Sequence, residues 1–220
     1  MNALPTDVIE EQPQATAGPL ATPGAGRKAA RQLPVQPVLE RLYALYPKLF
    51  GSDFLPLKLG VFQDLLLRHP EHFERAPLKA ALAVHTRSTR YLQSIADGKP
   101  RYSLDGEAVD ALAPEHVYLA LLELFRRRQA RSPQDLRPRL RQQLIRAFEA
   151  SGLSRQDYLT RVQNSDLEAY QQLEEALAER DQRLAREEAL RNAFTSSGKA
   201  AAEFAQMYGL DPADVAKLLK

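Results

Sequence analysis

The sequence predicts a mostly α-helical protein that contains one small β-hairpin. Apolar residues recur at helical spacing through most of the chain after residue 34, and prolines open several of these segments. The dipeptide Asp105-Gly106 lies between two short extended runs, which is typical of a hairpin turn. With 220 residues, the chain is long enough for one sizeable core or for a small domain with helical appendages.

The helices predicted for the first half of the chain follow the same logic. In the first of them, Val38, Leu42 and Leu45 repeat at intervals of three to four residues, which places them on one face. The later helices begin at or near a proline, a residue that is favoured in the first helical turn. The predicted helices cover about 35–46, a segment that begins near Pro56, 77–95, and 114–130.

The second half is predicted to be helical almost throughout. The expected helices are 134–150, 154–163, 166–194, 198–208 and 212–219. The longest is charged on nearly every face, so we expect it to project from the domain or to pair with a partner helix. Residues 1–33, in contrast, are rich in Pro, Ala, Gly and Gln and carry few large apolar side chains. This composition predicts a disordered tail.

Charge is unevenly distributed along the chain. The net charge is only +2, yet residues 75–101 contain six basic residues and one acidic residue. Residues 126–146 contain eight arginines and one aspartate, whereas residues 147–190 contain ten acidic residues and five arginines. Such segregation indicates a polyanionic partner.

Several classes of protein are disfavoured by the composition. The chain has no cysteine, which excludes disulfides, thiolate chemistry and cysteine-based zinc sites. No apolar run approaches the roughly 20 residues that a transmembrane helix needs, and no secretory signal is recognisable. We therefore expect a cytoplasmic protein that is not associated with a membrane.

The predicted helix 77–95 has two distinct stripes. Leu78, Leu82 and His85 lie on an apolar stripe that continues through Thr89 and Leu92. A second stripe carries positive charge and small residues, which suits contact with phosphates, although a solvated basic face is the alternative. Its members are Lys79, Ala83, Thr86 and Arg90, with Arg87 just beyond them.

An aromatic residue and an arginine extend this basic stripe. Tyr91 directly follows Arg90, and Arg101 directly precedes the predicted hairpin. A ring beside guanidinium groups can stack on a base or form hydrogen bonds with a terminal ribose and phosphate. Tyr91 is equally compatible with a core position, and composition alone leaves both interpretations open.

Three ordered blocks of sequence resemble the RNA-binding domain of the ProQ/FinO family. They are PLKLGVFQDLL from Pro56, LKAALAVHTRSTRYL from Leu78, and RYSLDG from Arg101. The resemblance covers roughly residues 35–130. It implies a compact helical domain with a small hairpin that binds the 3′ ends of small RNAs and mRNAs. The preferred RNA would be an intrinsic terminator hairpin with a U-rich tail, and the activity would be that of an RNA chaperone.

The resemblance also implies roles for individual residues. Tyr91 and Arg101 match the family's 3′-terminal pocket, whereas Gly60 and Asp64 match structural positions that allow close packing and capping or pairing. The chain departs from the family at Ala83 and Thr89, and it lacks the lysine-rich linker and β-domain of some members. The predicted RNA-binding residues are Lys58, Lys79, Thr86, Arg87, Arg90, Tyr91, Lys99 and Arg101.

Together these observations predict four segments. They are a disordered tail (1–33), a ProQ/FinO RNA-binding domain (34–130), a charged helical extension (131–195) and a short helical hairpin (196–220). The final hairpin resembles a helix-turn-helix, but its second helix carries few basic residues. Packing or binding of a protein partner is therefore the favoured role of this hairpin. The arginine-rich segment 126–146 is expected either to extend the RNA surface or to pair with the acidic helix.

No catalytic residue, cofactor or metal site is predicted. His69 and His72 have a spacing compatible with metal ligands, but Pro70 lies between them and no further ligand is recognised nearby. His85 is expected to be a core or rim histidine with hydrogen-bond partners. The sequence thus predicts a non-enzymatic RNA-binding protein. The alternative is a helical protein–protein adaptor with incidental nucleic-acid binding.

Overall fold

A computed structural model describes residues 34–163 and 166–218 of the chain. The predicted disordered tail, residues 1–33, lies outside the described residues. The elements of the first half are α1 (Val35–Leu45), a π-helical segment (Pro47–Gly51), α2 (Val61–Arg68), α3 (Arg75–Thr86), α4 (Thr89–Ala96), β1 (Arg101–Tyr102), β2 (Ala108–Asp110) and α5 (Pro114–Gln129).

The helical extension agrees with the sequence prediction to within a few residues at each helix end. It contains α6 (Arg137–Ser151), α7 (Arg155–Val162), α8 (Leu167–Ser197), α9 (Ala201–Tyr208) and α10 (Pro212–Leu218). The mostly helical fold with one small hairpin is therefore confirmed. None of the helices in the described ranges is both long and apolar enough to cross a bilayer.

The second helix begins later than predicted. Pro56 and Leu57 are extended rather than helical, because their backbone pairs with Tyr102 of the hairpin. The Tyr102 N–H donates to the Pro56 carbonyl at 2.7 Å, and the Lys58 N–H donates to the Tyr102 carbonyl at 2.8 Å. Gly60 then adopts a left-handed conformation with φ of +84°, and α2 starts at the next residue.

The predicted helix 77–95 is two helices, so the prediction of one continuous basic stripe is wrong. The chain breaks at Arg87 and Ser88, where Ser88 is extended and caps α4 by accepting a hydrogen bond from the Tyr91 N–H at 3.2 Å. A serine hydroxyl at this position satisfies a backbone donor that a helix leaves unpaired. Lys79 therefore lies on α3 and Arg90 on α4, which are separate helices.

The hairpin occurs where the Asp105-Gly106 signal predicts it. Strand β1 pairs antiparallel with β2, and Gly106 has a φ of +80° in the turn between them. The carboxylate of Asp105 accepts two hydrogen bonds from the Arg68 guanidinium, at 2.6 and 3.1 Å. This ion pair links the turn of the hairpin to the end of α2.

Two large apolar clusters lie on either side of α5. Ala120 packs into the first cluster, which α1–α4 and the hairpin supply, whereas Tyr118 and Leu122 pack into the second. The second cluster also receives Leu144 from α6 and Leu173 from α8. The first half of α8 is thus packed against the protein rather than projecting from it. The predicted segment boundaries at residues 130 and 195 stay predictions.

The cap of α4 leads to a prediction about stability. Ser88→Ala removes the acceptor for the Tyr91 N–H, so we expect the free energy of unfolding to fall by about 1 kcal/mol. Urea denaturation of the purified protein measures this change. Ser88→Thr keeps a capping hydroxyl and is expected to retain most of the stability. Equal stability of the alanine variant and the wild type would show that this cap contributes nothing.

Candidate nucleic-acid interface

Three segments that are distant in sequence meet at the backbone of Leu57. Its N–H donates a hydrogen bond to the Tyr91 hydroxyl at 3.0 Å. Its carbonyl accepts a hydrogen bond from Arg101 Nη1 at 2.9 Å. We call Leu57, Tyr91 and Arg101 the Leu57 clamp. It joins one residue from each of the three sequence blocks that carry the resemblance.

Tyr91 occupies a core position, which decides between the two interpretations of this residue. Its side chain is only 6% exposed, and its ring lies edge-on to the His85 ring with centroids 5.3 Å apart. Burial raises the pKa of its hydroxyl, and the nearby Arg101 partly opposes this shift. The packed ring offers no face for base stacking, so the hydroxyl is the group that remains for recognition.

Arg101 is half-buried at the start of β1. The bond to the Leu57 carbonyl uses one of the five N–H donors that a guanidinium carries. The guanidinium also lies close enough to the Tyr91 hydroxyl to affect its pKa. A fixed guanidinium beside a hydroxyl can bind an anionic oxygen and an adjacent alcohol together.

The Arg90 guanidinium lies over the ring of Phe54, a member of the first cluster. Its guanidinium carbon is 4.7 Å from the centroid of the Phe54 ring, and Nη2 donates to the Ser52 carbonyl at 2.7 Å. Phe54 itself is buried and has a φ of +48°, a conformation that L-residues adopt rarely. These two contacts hold an exposed positive charge in one place.

Lys58 and Asp64 form an ion pair at 2.9 Å, which confirms the structural pairing expected of Asp64. The pair lines a cavity of about 350 Å³ between α2 and the hairpin, together with Arg68 and Asp105. Gly60 has a different role from the one expected. A Cβ there would meet only the Gln63 side chain, at 3.8 Å, so backbone conformation rather than close packing favours glycine.

The remaining predicted residues are less tightly held. Lys79 and Arg87 are exposed and Lys99 is half-buried. Across residues 34–163 and 166–218, the side chains of these three form no hydrogen bond or ion pair, so nothing joins them to the Leu57 clamp. The Thr86 hydroxyl donates to the Leu82 carbonyl at 2.9 Å, within its own helix.

His85 lies in the core, as expected, but the expectation that it has hydrogen-bond partners is wrong. It is 2% exposed and packed between Phe50 and Phe54, with ring centroids 4.7 and 4.6 Å away. Neither of its ring nitrogens has a partner in the described part of the chain. Burial therefore lowers its pKa to about 4.

Several arginines of the basic segment serve the fold. Arg127 bonds to Glu123 at 2.8 Å and to the Arg87 carbonyl at 2.8 Å, while Arg128 bonds to Gln93 at 2.6 Å. These contacts brace α5 against the α3–α4 junction. Sequence reasoning missed this role because only the Glu123–Arg127 spacing of four residues is visible in the sequence.

Other arginines of this segment pair with the acidic helix α8. Arg126 forms an ion pair with Asp166, and Arg141 lies 3.2 Å from Glu175 and 3.8 Å from Glu179. Of the two roles expected for residues 126–146, pairing within the chain is thus confirmed for these positions. In the described part of the chain, three arginine side chains of this segment form no hydrogen bond or ion pair with any residue: Arg131, Arg139 and Arg146.

Comparisons with known proteins identify the family. The sequence profile of the ProQ/FINO family matches residues 33–137. The RNA chaperone ProQ of Alteromonas mediterranea is 39% identical over 84 residues, which are 36% of this chain and 38% of the relative. The RNA chaperone ProQ of Idiomarina loihiensis is 39% identical over 83 residues, with 36% and 40% covered.

Over residues 33–137, the chain belongs to the ProQ/FinO family. The family that the sequence predicts is thereby confirmed, and the matched relatives are bacterial proteins. A crystal structure of a FinO-like RNA chaperone from Neisseria meningitidis is 31% identical, covers 39% of this chain and 88% of its own, and has a TM-score of 0.37. The chain spans about two fifths of the length of the curated relatives it matches. The profile match ends at the first residue of α6.

The buried histidine of the ProQ/FinO domain leads to a prediction about pH. The folded protein keeps His85 neutral down to about pH 4, whereas in the unfolded chain it binds a proton near pH 6.5. The contribution of His85 to the free energy of unfolding is therefore complete above pH 6.5. It decreases as the pH falls toward 4, by at most about 3 kcal/mol.

Urea denaturation between pH 7 and 4 tests this prediction. The variant His85→Leu has no titratable group at this position, so its free energy of unfolding should fall less steeply than that of the wild type. Parallel curves for the two proteins would mean that His85 titrates alike in the folded and unfolded states.

Proposed function

We propose that this protein is an RNA-binding chaperone that binds the 3′ ends of structured RNAs. The expected ligands are small RNAs and mRNAs that end in a terminator hairpin and a U-rich tail, and the process is post-transcriptional regulation in the bacterial cytoplasm. Membership of the ProQ/FinO family supports the RNA partner. The proposed function is binding and involves no catalytic step.

The Leu57 clamp is the observation that carries the proposal. Both backbone polar groups of Leu57 are occupied, the N–H by Tyr91 and the carbonyl by Arg101, so the hydroxyl and the guanidinium are held in a fixed relation. Because the Tyr91 ring is buried, recognition would rely on hydrogen bonds rather than on stacking. A terminal ribose hydroxyl and the last phosphate offer the groups that such a pair can bind.

Other cations of the same domain suit the rest of such an RNA. Proteins contact duplex RNA through its shape and backbone, and they recognise sequence in unpaired ends. Lys79, Arg87 and Lys99 have no internal partner in the described residues and are available to phosphates. Arg90 is fixed on Phe54, so binding would restrict its motion little further. We propose that these cations contact the hairpin stem.

Arg101 provides the first test of this proposal. Arg101→Lys keeps the positive charge but cannot both bond to the Leu57 carbonyl and present a planar fork, so affinity for a terminator hairpin with a free 3′-hydroxyl should fall about tenfold to a hundredfold. Fluorescence anisotropy with labelled RNA measures the affinity. A 3′-phosphate on the RNA should weaken wild-type binding and affect the variant much less.

The controls separate a pocket from a general positive surface. Tyr91→Phe removes only the hydroxyl and keeps the packed ring, whereas Tyr91→Ala would leave a cavity in the core. Arg183→Ala removes an exposed α8 arginine that pairs only with Glu187 in the described residues, and it should leave affinity unchanged. If Arg101→Lys binds both RNAs like the wild type, the 3′-end pocket is refuted.

The ion pairs with α8 lead to a second prediction. Glu175→Gln combined with Glu179→Gln releases Arg141, so RNA affinity at low salt should rise about twofold to fivefold, which corresponds to the strength of an exposed ion pair. The slope of log affinity against log salt should steepen by up to about one unit. Glu187→Gln is the matched control. An unchanged slope would place Arg141 outside the RNA interface.

A further inference from the structure

Three potential metal ligands lie together in the turn between α2 and α3. Glu71 Oε1 is 3.4 Å from His72 Nε2 and 4.0 Å from His69 Nδ1, so one carboxylate oxygen faces both imidazoles. The two imidazole rings stack, with centroids 5.7 Å apart and planes 19° from parallel. Sequence analysis found no further ligand near the two histidines, whereas the structure places the Glu71 carboxylate beside both.

The turn is held in this shape by the fold around it. Both the His72 and Phe73 N–H groups donate to the His69 carbonyl, at 3.1 and 3.3 Å. Pro70 restricts the backbone within the turn, and Phe73 is buried in the first cluster, with 4% of its surface exposed. The ligand atoms therefore lie near one another before any ion binds, which lowers the entropic cost of binding.

Tyr46 fixes the orientation of one imidazole. Its hydroxyl lies 2.8 Å from His69 Nε2, and the two rings make an edge contact at 5.8 Å. When Nδ1 binds a metal, Nε2 carries the proton and can donate a hydrogen bond to the Tyr46 hydroxyl. An outer partner of this kind sets the ring orientation of metal-binding histidines and raises their basicity as ligands.

We propose that His69, Glu71 and His72 form a site for a divalent transition metal ion of the zinc class. Two imidazoles and one carboxylate are the donor types that Zn²⁺ accepts, with bonds of about 2.0–2.1 Å. Tetrahedral coordination at that length separates ligand atoms by about 3.3 Å. The Glu71–His72 distance nearly meets this value, and the three ligand atoms all lie within 4.8 Å of one another, so the largest approach needed is about 1.5 Å. Water would complete the coordination.

The site is independent of the Leu57 clamp and would stabilise a different part of the domain. A bound ion links the end of α2 to the start of α3 and, through Tyr46, to the end of α1. Because the ion binds the folded turn and not the unfolded chain with the same geometry, binding should raise the melting temperature. RNA affinity need not change for this inference to hold.

Titration of the full chain with Zn²⁺ after removal of metals by a chelator tests the site. We expect one equivalent to bind to the wild type by isothermal titration calorimetry. His72→Ala and Glu71→Gln should each weaken binding by at least about tenfold, and Tyr46→Phe by about tenfold. The visible spectrum of the Co²⁺-loaded protein should show the intense bands of tetrahedral coordination, and these bands should disappear in His72→Ala.

His116 provides the matched control. The chain has four histidines, and His85 is buried, so His116 is the exposed histidine outside the turn. His116→Ala should bind Zn²⁺ like the wild type. Binding that is equally strong in His72→Ala and the wild type, or equally weakened in His116→Ala, would refute the site. Circular dichroism of each variant shows whether the fold is retained, so that a loss of binding is not mistaken for unfolding.

Discussion

Two hydrogen bonds of the Leu57 backbone, one from its N–H and one to its carbonyl, constrain the whole candidate interface. The donors and acceptors come from positions 34 and 44 residues further along the chain, so the clamp closes only when α4 and β1 are both in place. Three other features hold these segments in place. The extended backbone at Pro56 pairs with Tyr102, Ser88 starts α4 directly before Tyr91, and the Arg68–Asp105 ion pair holds the hairpin. Backbone groups that are buried and both bonded resist displacement because losing either bond leaves an unpaired polar atom.

Positive charge in this protein has two uses that composition does not separate. Arg127 and Arg128 brace α5 against α4, and Arg126 and Arg141 pair with α8. Lys79, Arg87 and Lys99 have no such partner in the described part of the chain. The surface available to a polyanion is therefore smaller than the count of arginines indicates. It includes cations inside the family match, such as Lys79 and Arg87, and also Arg139 and Arg146 of α6.

Helix α5 connects the two large clusters. One of its faces completes the core under the interface through Ala120, and another carries Tyr118 and Leu122 into the cluster formed with α6, α7 and α8. Removing the extension would expose those apolar side chains to water. Single charge substitutions on α8 are therefore a cleaner way to study its effect on RNA binding than truncation is.

The sequence by itself determined the helical class, the hairpin at Asp105-Gly106, the extents of the later helices and the family. Each of these depends on local spacing, turn chemistry or ordered blocks of residues. Only the tertiary structure decided that Tyr91 is buried, that helix 77–95 is broken at Ser88 and that α2 starts at Val61. It also decided that one carboxylate oxygen of Glu71 faces the imidazoles of both His69 and His72. These features depend on contacts between residues distant in sequence, or on the exact path of a turn. Hydrophobic periodicity reports which face of a helix is apolar, but it does not report which backbone group a distant side chain will bond.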